Sequence, residues 1–174
     1  MSLLMLFAAL LIGALPSSVH FGTPEAFVCL PSRPNFVTPP PALAPFVDPV
    51  SSYYMDGIWA TLPPEGRLEL SPDFVVAEEG QFAHWRATNF PWTRDDGVVG
   101  SLIVTGERLD APAPSAIDLA FDRQYGSSGF TPVLLAFPTP GCWQMTGIVG
   151  RHAISFVLDV RFVQIDPWLA TPVE

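Results

Sequence analysis

The chain contains no lysine. Its eight cations are all arginine, set singly along the sequence against 17 acids, for a formal net charge of −9. Binding to phosphate backbones needs clustered cations, so a nucleic-acid partner is excluded. Charged residues of both signs make up only 14% of the chain and apolar residues 49%. That balance excludes a solvated, disordered chain over most of the length and is enough to fill a core. Histidine is scarce, with three in all, and cysteine scarcer, with two. No nucleophile elbow, phosphate-binding loop, dinucleotide glycine pattern or zinc spacing is present. The sequence therefore argues against an enzyme and against a cofactor. Beyond the first fifteen residues no window has helical periodicity.

What is present favours strands. Pro138-Thr139-Pro140-Gly141 ends the apolar run that begins at Thr131, because proline lacks a ladder donor and glycine accepts positive φ. Gly150-Arg151 fits a two-residue type II′ turn, which takes glycine first. That turn sets Val149 opposite His152, and counting back sets Gly147 opposite Ile154, Met145 opposite Phe156 and Trp143 opposite Leu158. These share one face by the period of two, with Cys142, Gln144, Thr146, Ser155 and Asp159 on the other. Short strands are also expected at 58–62, 67–70, 74–77, 82–86, 98–105 and around Ile117 to Phe121, and a loop at Asn89–Gly97. About nine strands at such spacing predict an all-β domain over residues 51–165. Its expected architecture is a two-sheet antiparallel β-sandwich, Ig-like in general layout.

Met1–Leu15 is an uninterrupted apolar run ended by Pro16. Residues 1–22 read as a leader helix, either a secretory signal peptide or a retained membrane anchor; membrane contact is expected only through it, if uncleaved. Residues 23–50 form a proline-rich extended tail, read as a surface spacer, and 166–174 a C-terminal tail. For an exported chain the natural pairing is a disulfide between Cys29 and Cys142; the alternative is two unrelated thiols. Because Cys142 falls on the face opposite Trp143, a bridge would strap the tail across the outside of the sheet.

Candidate chemistry is sparse. Cys142, Met145, His152 and His84 could be assembled into a copper site, but no histidine stands between the cysteine and the methionine. Glu78-Glu79 and Asp95-Asp96-Gly97 lack the alternation of a dedicated calcium loop, and no metal is expected. Aromatic residues crowd the first half of the domain. Trp92, Trp85 and Tyr54, with Arg94 nearby, form a possible ligand-binding platform for a sugar or peptide, Trp92 being the ring most expected at the surface.

Four segments, Cys29–Asn35, Asp56–Trp59, Arg108–Pro114 and Gly141–Gly147, occur in this order. Together they resemble an uncharacterised family of small secreted or lipid-anchored bacterial envelope proteins with a C-terminal Gly-Cys-Trp-Glu-Val-Thr-Gly strand. Here Gln144-Met145 stands in place of Glu-Val, and Ala26-Phe27-Val28-Cys29 is no lipobox. The resemblance implies a fold and an extracytoplasmic location, with no activity attached. The expectation is an exported, non-enzymatic module with a structural or protein-interaction role at the cell envelope, its partner an envelope protein or a glycan. The alternative is a carbohydrate-binding module using exposed aromatic residues.

Overall fold

The computed structural model describes residues 27–71, 74–77, 79–119 and 128–163. The segments read as a leader (1–22) and as a C-terminal tail (166–174) lie outside the described residues. Nine strands follow in order: β1 (Ser52–Met55), β2 (Ile58–Thr61), β3 (Arg67–Leu70), β4 (Arg86–Arg94), β5 (Ile103–Arg108), β6 (Ala116–Asp118), β7 (Thr131–Phe137), β8 (Gly141–Val149) and β9 (His152–Phe162). There is no α-helix among the described residues, only a 3-10 turn at Pro64–Gly66.

Turn chemistry sets the local registers. Gly150 has φ +58° and Val149 faces His152, so every β8–β9 pair from Trp143–Leu158 to Gly147–Ile154 falls where the turn dictates. Asp56-Gly57, at φ +50° and +80°, forms the type I′ turn between β1 and β2 and sets Met55 opposite Ile58.

The strands form one nine-stranded mixed sheet in the order β1-β2-β4-β7-β6-β5-β8-β9-β3, curled into a half-barrel. Eight strands join antiparallel neighbours, and β3 adds to β9 in parallel. This corrects the expectation of two separate sheets. The cause is β4, which occupies most of the stretch read as a loop and pairs with both β2 and β7, making the two halves continuous. Pro91 had argued against a strand there. It sits opposite Pro132, and the Arg94 N–H to Gly129 O bond places the proline pair at a non-hydrogen-bonded position of the ladder. Neither proline costs a β4–β7 bond. On its other side β4 pairs with β2 only as far as Ala60–Trp92, stopping just before Pro91 would have to donate. The segments 74–77 and 82–86 contribute isolated bridges rather than strands before β4 begins.

Curling brings distant strands face to face over one core. Phe90 and Trp92 of β4 meet Phe156 of β9 at 5.7 and 5.5 Å between ring centroids. Close packing needs small partners: a Cβ on Gly147 would lie 2.6 Å from Trp92 Cζ3. A second cluster, Leu43, Val47 and Trp59, lies where the tail folds onto the sheet. A third, around Trp85, Ala87 and Ala136, lies where the segment before β4 covers the outer face.

Candidate interaction surface on the outer face

Strands β5, β8 and β9 expose alternate residues on the outside of the half-barrel. Cross-strand pairing aligns them in rows: Ile103 with Ile148 and Ala153, Thr105 with Thr146 and Ser155, Glu107 with Gln144 and Val157. Thr105, Glu107, Gln144 and Thr146 line a shallow concavity of about 250 Å³. Ser155 organises its floor. Its hydroxyl donates to Met145 O at 3.2 Å, accepts Gln144 Nε2 at 2.9 Å and lies 3.4 Å from Thr146 Oγ1. The result is an array of hydroxyl, amide and carboxylate groups at strand spacing, about 4.8 Å apart, bordered by the exposed Ile103 and Ile148. Such a surface can hydrogen-bond an extended polar partner while the isoleucines bury apolar area.

Below this shelf the scaffold is pinned. Cys29 and Cys142 form a disulfide across a separation of 113 residues, on the outer side of the sheet as the register requires. The Cys142 N–H donates to Asp110 Oδ1 at 3.2 Å and its carbonyl accepts Leu109 N–H at 2.7 Å. Arg108 holds Asp110 through two bonds, Nε to Oδ1 at 2.7 Å and Nη2 to Oδ2 at 3.2 Å, and reaches Thr139 with Nη1. That pairing holds the Asp110 carboxyl below its usual range and raises the guanidinium further. Gly141, at φ +147°, lies so close beneath Arg108 that no side chain fits there. The Arg-Leu-Asp loop and the Gly-Cys-Trp strand are thus two halves of one clamp.

A similar clamp holds the opposite end. Asp56 accepts Ala153 N–H through Oδ2, and its Oδ1 lies 3.2 Å from His152 Nδ1. The contact with His152 comes first in lowering the Asp56 carboxyl. Asp95 accepts Tyr54 Oη at 3.0 Å and Trp59 Nε1 at 2.7 Å; burial, then this bond, raises the Tyr54 phenol.

The aromatic platform does not form. Trp92 is 0% exposed and Trp85 only 8%. Both are core residues, because the segment that carries them is β4 and its lead-in rather than a surface loop. Arg94 is 1% exposed. It donates Nη1 to Gly100 O and Nη2 to Thr131 Oγ1 at 2.7 Å, and burial lowers its affinity for the proton. Tyr54 is half-buried, its ring 4.3 Å from that of Trp59. The set of Trp92, Trp85, Tyr54 and Arg94 is replaced by the shelf, whose members are ordinary strand residues with no sequence signal beyond alternation. The disulfide also consumes the thiol that a copper site would need, and Met145 points into the core.

Among the described residues no group of three or more His, Cys, Asp or Glu side chains is placed to hold a metal ion, and no helix is long and apolar enough to cross a membrane. No family model matches the chain, and no curated protein does. Among solved structures it resembles one described as "X-ray Crystal Structure of a Putative Lipoprotein from Bacillus anthracis", at 13% identity and a TM-score of 0.40, covering 67% of this chain and 82% of that one. A likeness at that level carries no argument about what this chain does.

Proposed function

We propose that the chain is an exported, non-enzymatic β module that acts at the cell envelope as a structural or protein-interaction element. Its contact face is the shelf of Thr105, Glu107, Gln144 and Thr146. The observation that carries this reading is the Cys29–Cys142 disulfide, a bond that persists in oxidising compartments outside the cytoplasm. The resemblance to small bacterial envelope proteins supports the same location. A non-catalytic role is supported by where the shifted ionisable groups lie. Perturbed proton affinities often mark catalytic sites. Here Asp56, Asp110, Arg108, Tyr54 and Arg94 each owe theirs to burial or to a contact that pins a loop. The burial of Trp92 and Trp85 favours a protein partner over a glycan, since stacking on a sugar needs a ring face in solvent.

Two measurements test the proposal. Alkylation of intact cells without reductant, followed by mass analysis, should find Cys29 and Cys142 blocked by their mutual bond; two free thiols would remove the extracytoplasmic reading. A photo-crosslinker at Thr105 or Gln144 should trap an envelope protein, and Glu107→Arg should abolish the adduct. Crosslinking unaffected by that change would take the shelf out of the proposal.

A further inference from the structure

The half-barrel has two ends, and both expose apolar side chains. One holds the start of β8, the ends of β5, β3 and β9 and the lead-in to β4. At its rim Val28 and Leu30 flank the disulfide with 70% and 77% of their surface in water. Phe27, Leu109, Phe74 and Val163 are exposed at the same end. Hydrogen bonds place these residues on one rim: Leu109 N–H to Cys142 O, Ala87 N–H to Phe74 O, Val163 N–H to Leu70 O. Two of the rim's arginines are paired with acids, and the exposed Glu69 and Glu107 stand at the ends of β3 and β5. Arg108 bonds Asp110, Arg161 bonds Asp159, and Arg86 lies over the Phe162 ring. The opposite end carries the β1–β2 and β8–β9 turns and the acids Asp56, Asp95 and Asp96 against Arg151.

We infer that the disulfide end of the half-barrel is a bilayer-facing surface, with Val28, Leu30 and Leu109 seated at the lipid headgroup level. The inference rests on the envelope reading above and goes beyond contact through the leader alone. Two features select a bilayer as the occupant. The chain enters the described domain at this rim, eleven residues (16–26) after the apolar run Met1–Leu15. Those eleven residues reach at most about 40 Å, so a membrane that took up the run would lie within reach of the rim. Apolar side chains next to paired arginines suit the interface, where the side chain enters the acyl boundary and the guanidinium stays with headgroups.

The test uses the full chain, leader included, with vesicles of phosphatidylethanolamine and phosphatidylglycerol. Flotation reports binding, and hydrogen exchange reports which end faces lipid. Exchange at amides 27–30 should slow by about tenfold on vesicles, with amides 97–100 at the far end unchanged. Val28→Asp with Leu30→Asp, both at exposed positions that the fold tolerates, should abolish that protection while the disulfide and core amides stay intact; Val99→Asp should not. A floating chain whose 27–30 amides exchange as fast as in free solution overturns the inference, as does protection at the far end. A chain that does not float overturns it too, while the envelope reading is decided separately by the alkylation experiment.

Discussion

Ser32 grips Val157 twice. Its N–H donates to Val157 O and its Oγ accepts Val157 N–H, both at 2.9 Å. Three residues on, Asn35 does the same to Tyr54, giving Nδ2 to its carbonyl at 2.6 Å and accepting its N–H at 2.9 Å. Both sets of backbone groups point away from the neighbouring strand, on β9 before β3 joins it and on the outer edge of β1. One short piece of tail therefore blunts two open edges that would otherwise invite pairing with other chains. Ser32→Ala should leave the Val157 amide without its acceptor. Exchange at Val157 should accelerate at least tenfold, with a loss of about 1 kcal/mol in stability, while Tyr54 stays protected. Amide-resolved exchange with urea unfolding checks both, and an unchanged Val157 rate would show that the bond does not hold the edge.

The disulfide closes a long loop, so its removal should show mainly in the unfolded state. For a separation of 113 residues the chain-entropy model gives about 4–5 kcal/mol. Cys29→Ser with Cys142→Ser, compared with wild type by urea unfolding, should lose up to that amount, and wild type under reductant should match the double variant. An equal midpoint in oxidised and reduced protein would mean that the tail is held by its other contacts alone.

Trp92 makes the difference between a binding residue and a core residue measurable. It packs on Gly147, Phe90 and Phe156. Trp92→Ala should cost about 3–5 kcal/mol through the cavity it leaves. Gly147→Ala should cost about 1–3 kcal/mol by overpacking. Trp92→Phe should lessen that second penalty by moving the ring edge away from the new methyl. A double-mutant cycle by thermal or urea unfolding reads the coupling, and strictly additive effects would mean that the two residues do not touch.

The parts that residue chemistry specifies locally were legible. Gly150-Arg151 determines its own turn, and the period of two then places Trp143, Met145, Phe156 and Leu158 inside and Cys142 outside. Arg67–Leu70 shows its edge alternation and is β3. Illegible were features that depend on distant pairing. Pro91 reads as a strand breaker until Pro132 is known to face it, and without β4 the single sheet looks like two. The tail reads as a spacer because its prolines exclude helix, while Ser32 and Asn35 find their acceptors and donors only once β9 and β1 exist. The shelf gave no signal, since Thr105, Glu107, Gln144 and Thr146 are what any half-exposed strand would carry.

Acid should loosen the clamp around the disulfide before it unfolds the core. The Arg108 hydrogen bond, and less strongly the Cys142 N–H, lower the Asp110 carboxyl in the folded protein. A carboxylate with a depressed folded value adds stability above its unfolded value of ~3.9 and loses that contribution as the pH falls through the lower folded value. Asp110→Asn removes the charge at all pH values, so the two proteins should differ most near neutrality and converge in strong acid. Urea midpoints of wild type and Asp110→Asn between neutral pH and about pH 2 should therefore approach each other as the solution is acidified. Asp56 obeys the same sign through His152 and Ala153, so Asp56→Asn combined with Asp110→Asn should flatten the acid limb further than either alone. A gap between wild type and Asp110→Asn that stays constant to the lowest pH would mean that Asp110 acts through shape and hydrogen bonding rather than through its charge.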